Sequence, residues 1–402
     1  VSARSTYLLC AALAVLTVGV STLGQPSLTA ENGLGWDGGQ YAQMTSQCWT
    51  ERISALEPFV YRIGAPCLAA LVPATPKNAL FIVNLASSVG LLFLLAAWLR
   101  QVVPAHIVPW LLVGFAFHWL APLRYTFWYP TYIDPPALCV IVGALLIRHR
   151  PIGLIAVCAF GALIRETVAI VPIALAVGRA IAVTHWGSQL EFDHIVRDRE
   201  WRYAMVAAAA AAGTTVFTHA VVTPASDYWM ADAAYYWAFT KPVLTYALAW
   251  FVAYGPMLAL PVVYWRPVRR FLTEWPEYLV MMIAVAVLAW VGGSDTERFL
   301  LWGVPIVLAM VGIAAGEIDW RRSLGPLLIL GVGQILNGRW FLVTPFVTES
   351  APRAWPLLTV LDAHRFEDLV SLTPDRVVAA VAFAQYLVLV SVLAFWFRRR
   401  RA

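Results

Sequence analysis

The chain of 402 residues is 61% hydrophobic and 13% charged, with a formal net charge of +5 and a mean hydropathy of +0.72. That balance excludes a soluble globular domain of this size and makes the bilayer the expected solvent; the small positive excess makes no case for nucleic acid. The cysteines at 10, 48, 67, 139 and 158 form no CxxC pair and no zinc spacing, and the histidines form no HExxH. No cofactor is therefore expected, and a divalent metal has no support.

In chain order, the first apolar run covers 7–23 behind Arg4 and is read as an anchoring first helix rather than a signal peptide. A polar stretch follows at 25–62. The apolar piece at 63–72 is too short to span and reads as a re-entrant or interfacial helix closing a first outer loop at 25–76. Spanning helices are expected near 79–99, 104–122, 135–147, 204–222, 242–264, 277–291, 299–316, 324–346 and 377–397. The stretch 152–178 carries Arg165-Glu166 at its centre and reads as the two arms of a hairpin or broken helix. The segment 180–203 is charged and reads as an amphipathic stretch on the membrane surface. The aromatic segment 223–241 fits an interfacial belt or a sugar or lipid platform, and 347–376 forms a last outer loop. The fold class is thus all-α, a polytopic bundle of about 10–12 spanning or half-spanning helices, because every backbone polar group in lipid must be satisfied within its own segment.

Arginine sets the orientation. Alternating spans put Arg4, Arg100, Arg148, Arg179, Arg266, Arg269, Arg270, Arg321, Arg322 and the run Arg398–Arg401 on one side, the cytoplasm by the positive-inside rule, with both termini there. The other side receives Asp37, Asp134, Glu166, Asp295 and the loop 347–376. Cys48 and Cys67 share that side, where a disulfide is permitted; free thiols are the alternative.

A charge near an apolar span costs about 2.5–3.5 kcal/mol on insertion scales, so those that persist pair or work. The outer-side candidates come from separate segments: Asp37 beside two glycines, Tyr41, Tyr61 with Arg62, Asp134, Arg165 with Glu166, Asp295 with Arg298, and Arg339 further along. The plain alternative is a set of local ion pairs, with Glu57, Glu166 and Asp295 neutralising Arg62, Arg165 and Arg298. The sharper reading is glycosyl transfer from a polyprenyl-phosphate sugar. That chemistry needs a carboxylate to take the acceptor proton and arginines to hold a phosphate and offset the leaving group's charge. Asp37 suits the first role. Arg62 and Arg298 suit the second, with Arg165 serving more to hold Glu166.

Three stretches carry a resemblance: Trp36-Asp37-Gly38-Gly39-Gln40-Tyr41, Tyr61-Arg62-Ile63-Gly64-Ala65-Pro66 and Leu163-Ile164-Arg165-Glu166-Thr167. With the helix count, this layout resembles the GT-C superfamily of integral-membrane glycosyltransferases. The resemblance implies a bacterial enzyme of the plasma membrane and inverting transfer from a polyprenyl-phosphate-linked sugar to an envelope glycan, lipid or protein acceptor, with Asp37 as general base. The chain departs from some members in having Gly38 where they carry a second acidic residue. Two other functions fit the same composition: a non-catalytic subunit of a membrane assembly that keeps the fold, and a lipid or saccharide transporter or flippase. A transporter would place charge near the bilayer midplane and open it to both sides; here the charge clusters at one face.

Overall fold

Ser2 caps the first helix, its hydroxyl accepting the Ser5 N–H at 3.1 Å, and α1 (Ala3–Gly24) follows. The computed structural model describes residues 2–25, 27–35, 37–184, 192–226, 230–293, 296–340 and 376–401. It is a helical bundle in which the one described sheet is a two-residue parallel pairing of Ser54–Ala55 with Thr223–Pro224. The first outer loop holds α2 (Gly38–Gln47) and α3 (Gly64–Ala69). Next come α4 (Pro76–Val102), α5 (Val108–Ala116), α6 (Pro122–Trp128), α7 (Asp134–Leu146) and α8 (Pro151–Ile164). A 3-10 turn at Glu166–Ala169 leads into α9 (Ile170–Val183), followed by α10 (Phe192–Arg197), α11 (Arg199–Val221) and α12 (Met230–Thr240). The last third comprises α13 (Val243–Tyr254), α14 (Ala259–Val263), α15 (Trp265–Glu274), α16 (Pro276–Val291), α17 (Thr296–Leu300), α18 (Val304–Gly316), α19 (Leu324–Asn337) and α20 (Arg376–Arg401).

Six of the described helices are long and apolar enough to cross a membrane, and α15 with α16 makes a seventh if a pair bent by 103° counts as one. Side-chain contacts sort the helix ends into two groups. At one end Arg100 donates to Thr6 Oγ1 at 3.0 Å, Arg148 packs on Trp275 and Tyr278, and Arg179 pairs with Asp198. At the other end meet the start of α7, the α8–α9 break, the close of α16 and the start of α17. The stretch expected as a hairpin or broken helix is interrupted at its centre, because the α8 helix stops at Ile164 and Arg165 is extended, with φ −159° and ψ 126°.

Several expectations need correction. The run at 104–122 is not one helix: α5 ends at Ala116, and the backbone of Trp119 donates to the carbonyl of Gly338 at 2.8 Å, so the chain leaves the helix to pair with a distant turn. Pro122 then opens α6, where its missing N–H costs nothing. The segment 180–203 is not one amphipathic stretch, since α9 runs on to Val183 and α11 begins at Arg199. The helix expected at 324–346 ends at Asn337, and positions 341–346, like the loop 347–376, lie outside the described residues.

Candidate functional site

Asp37 sits at the start of α2, and its backbone N–H donates to the Tyr129 hydroxyl at 2.8 Å. Two glycines set this close approach. Gly35 has φ +73°, a left-handed backbone that favours glycine. At Gly38 an added Cβ would collide with Thr131, so a larger residue would push α2 off the 129–131 segment. Gly39 faces open space and has no such duty. Trp36 lies outside the described residues.

A disulfide between Cys48 and Cys67 ties the end of α2 to α3, with Cα atoms 5.3 Å apart. Gly64 lets α3 press on the α8 terminus: a Cβ there would stand 2.9 Å from the Ile164 nitrogen. That contact delivers Arg62 to Glu166. The Arg62 Nη2 donates to Oε1 at 2.6 Å, its Nε to Oε2 at 3.0 Å, and its Nη1 to the Tyr41 hydroxyl at 3.2 Å. Burial alone would lower the arginine pKa, but the Glu166 charge and then Tyr41 outweigh it and push it above its ordinary value, so Arg62 stays charged. Burial is also the main reason the Tyr41 hydroxyl is raised and remains protonated.

The second cluster centres on Asp134, buried at 4% exposure in the first turn of α7. Its Oδ1 accepts from Arg165 Nη1, and its Oδ2 accepts from Arg298 Nη2 at 3.0 Å and Nε at 3.2 Å. The next two residues, Pro135 and Pro136, have no N–H, so neither competes with the two guanidiniums for its oxygens. Arg165 lies over the Trp302 ring at 4.5 Å and the Phe299 ring at 5.7 Å, and Arg298 over Tyr132 at 5.7 Å.

These groups share one cavity of about 360 Å³, lined by Asp37, Arg62, Asp134, Arg165 and Arg298 with Phe299 and Trp302 on an apolar side. The expected residues Asp37, Arg62, Arg165, Arg298 and Asp134 therefore converge. Glu166 and Tyr41 stand behind Arg62. Tyr61 does not line the cavity; it stacks on His219 with ring centres 3.5 Å apart and donates to Glu57, which does line it. Arg339 is elsewhere, in the turn after α19, where its carbonyl accepts from Arg124 at 2.8 Å. Asp295 lies outside the described residues.

The local ion pairs are corrected as well. Arg62 pairs with Glu166 rather than Glu57, and Arg165 pairs with Asp134 rather than Glu166. Each described partner comes from another helix terminus, because the extended backbone at Arg165 points its side chain away from its sequence neighbour. Glu57, Phe299 and Trp302 were not among the expected site residues. Trp302 follows Arg298 by four residues, one helical turn, a spacing that marks a shared face. Nothing local, however, signals that Arg165 would lie on that ring.

No protein-family profile, no curated protein and no solved structure matches the chain.

Proposed function

We propose that this chain is a polytopic membrane glycosyltransferase. It moves a sugar from a polyprenyl-phosphate donor to an envelope acceptor on the side opposite the arginine-rich end, the outer face of a bacterial plasma membrane. The observation that supports this most is the convergence of Asp37 with three arginines from distant segments in one cavity.

In the proposed reaction Asp37 accepts the proton of the acceptor hydroxyl as its oxygen attacks the anomeric carbon. The bond from that carbon to the phosphate oxygen breaks, its electron pair leaves with the polyprenyl phosphate, and configuration inverts. Arg165 and Arg298 hold the phosphate and stabilise the leaving charge. Arg62 has all three guanidinium nitrogens engaged by Glu166 and Tyr41, so it contributes fixed charge and the shape of the wall.

Purified protein incubated with radiolabelled polyprenyl-phosphate sugars and cell-envelope acceptors tests the reading. Transfer of label to an acceptor, lost in Arg298→Lys, is expected. A folded chain that transfers nothing from any of these donors would favour the non-catalytic subunit.

A further inference from the structure

At the end of the bundle away from the cavity, α15 stands between two apolar stretches, Val243–Val263 before it and α16 after it. Trp275 separates α15 from α16 with φ −129° and ψ 70°, because the residue before a proline avoids the helical region. The two helices consequently meet at 103°. Where α16 crosses a bilayer, α15 therefore runs along its surface. The helix has two faces. Val268, Phe271 and Leu272 are buried and pack it onto the bundle. Trp265, Arg266, Arg269 and Arg270 share the other face at helical spacing and are exposed, Trp265 at 51% and the Arg270 side chain at 81%. Glu274 accepts from the Arg270 Nε at 2.6 Å and offsets part of that charge. Arg266 and Arg269 have no acidic partner among the described residues.

We infer that this face of α15 is a binding surface for anionic phospholipid, with Trp265 seated at headgroup depth and the three arginines turned to the negative charge of the lipid. A tryptophan settles where acyl chain gives way to headgroup. Arginines clustered directly beside a spanning helix attract acidic headgroups, each by about fivefold in affinity. Both residue types stand on one exposed face of a helix held along the membrane plane, so one lipid layer meets them together. The inference does not depend on the transferase reading. It gives the chain a lipid preference in the leaflet at its arginine-rich end, the end remote from the cavity.

Native mass spectrometry of the full chain in detergent can rank three probes: dioctanoyl phosphatidylglycerol, dioctanoyl phosphatidylcholine and glycerol phosphate. The wild type is expected to hold the phosphatidylglycerol about tenfold more tightly than the phosphatidylcholine. The Arg266→Gln/Arg269→Gln/Arg270→Gln variant should lose that advantage, and the corresponding triple lysine variant should keep it. Trp265→Ala should weaken both lipids several-fold while leaving their ratio alone. Equal retention of the two lipids by the wild type overturns the inference and leaves the arginines as a topology signal only. A triple glutamine variant of wild-type unfolding temperature that keeps the wild-type ratio overturns it too. If that variant does not fold, the wild-type ranking and Trp265→Ala decide, and unchanged affinity in Trp265→Ala removes the seating at headgroup depth. Glycerol phosphate bound as tightly as the phosphatidylglycerol would make this a site for a soluble anion and overturn the lipid assignment.

Discussion

Arg62 and Glu166 are 104 residues apart in sequence and form a two-point ion pair, Nη2 to Oε1 at 2.6 Å and Nε to Oε2 at 3.0 Å. The pair fastens the first outer loop to the break between α8 and α9. It therefore fixes one wall of the cavity relative to Arg165, which stands on the same break, and to its partner Asp134 at the start of α7.

Removing one partner strands a largely buried charge. Arg62→Ala or Glu166→Ala should each destabilise the protein by about 3 kcal/mol. The Arg62→Ala/Glu166→Ala double variant should cost clearly less than the two single losses added together. Chemical unfolding of the four proteins in detergent gives the comparison, and strict additivity would show that the two side chains do not act as a pair.

The Cys48–Cys67 bond closes a segment with a sequence separation of 19. On chain-entropy grounds it contributes about 3 kcal/mol. Reduction, or the Cys48→Ser/Cys67→Ser variant, should lower the unfolding temperature by several degrees. It should also loosen α2 enough to expose the backbone around Asp37 to hydrogen exchange. Unchanged exchange there after reduction would mean that Gly35 and Gly38 hold the loop without the disulfide.

Asp198 caps α11, accepting the Trp201 N–H at 2.9 Å, and takes two hydrogen bonds from Arg179 at 2.9 and 3.0 Å. Burial raises its pKa, but the Arg179 hydrogen bonds and the Trp201 N–H outweigh that and hold it below its ordinary value of 3.8. A depressed carboxylate stabilises the fold above its unfolded pKa, and that stability is lost as pH falls through the lower folded value. The unfolding temperature should therefore drop below about pH 4, and Asp198→Asn should flatten that drop while costing up to about 1 kcal/mol at neutral pH through the lost Arg179 ion pair. An acid limb identical in the two proteins would contradict the assignment.

The two groups of helix ends predict opposite labelling. A cysteine at position 31 or 226 should react with an impermeant maleimide from outside intact cells, and one at position 266 or 270 only after permeabilisation. The reverse pattern would invert the orientation and place the cavity in the cytoplasm.

Hydropathy made most of the helices legible, because an apolar run of spanning length leaves few alternatives to a helix. The break at Arg165 was legible because charge in the middle of an apolar stretch demands a reason. The break after Ala116 was not. It depends on Trp119 reaching Gly338, a pairing between distant segments that no local pattern encodes. The site was legible as a set of residues and not as a set of partners. Asp37, Arg62, Arg165 and Arg298 could be named from their types and depth. That Asp134 would bridge Arg165 and Arg298, and that Glu166 would turn to Arg62, followed only from how the helix termini meet.

The most direct measurement is turnover of Asp37→Asn beside the wild type, using a polyprenyl-phosphate sugar that the wild type transfers. Asparagine keeps the shape of the side chain and loses the proton acceptor. Turnover should fall by about 10²–10⁴-fold, with the unfolding temperature unchanged. Wild-type turnover in a folded Asp37→Asn protein would remove Asp37 from the chemistry and contradict the proposed role of the cavity.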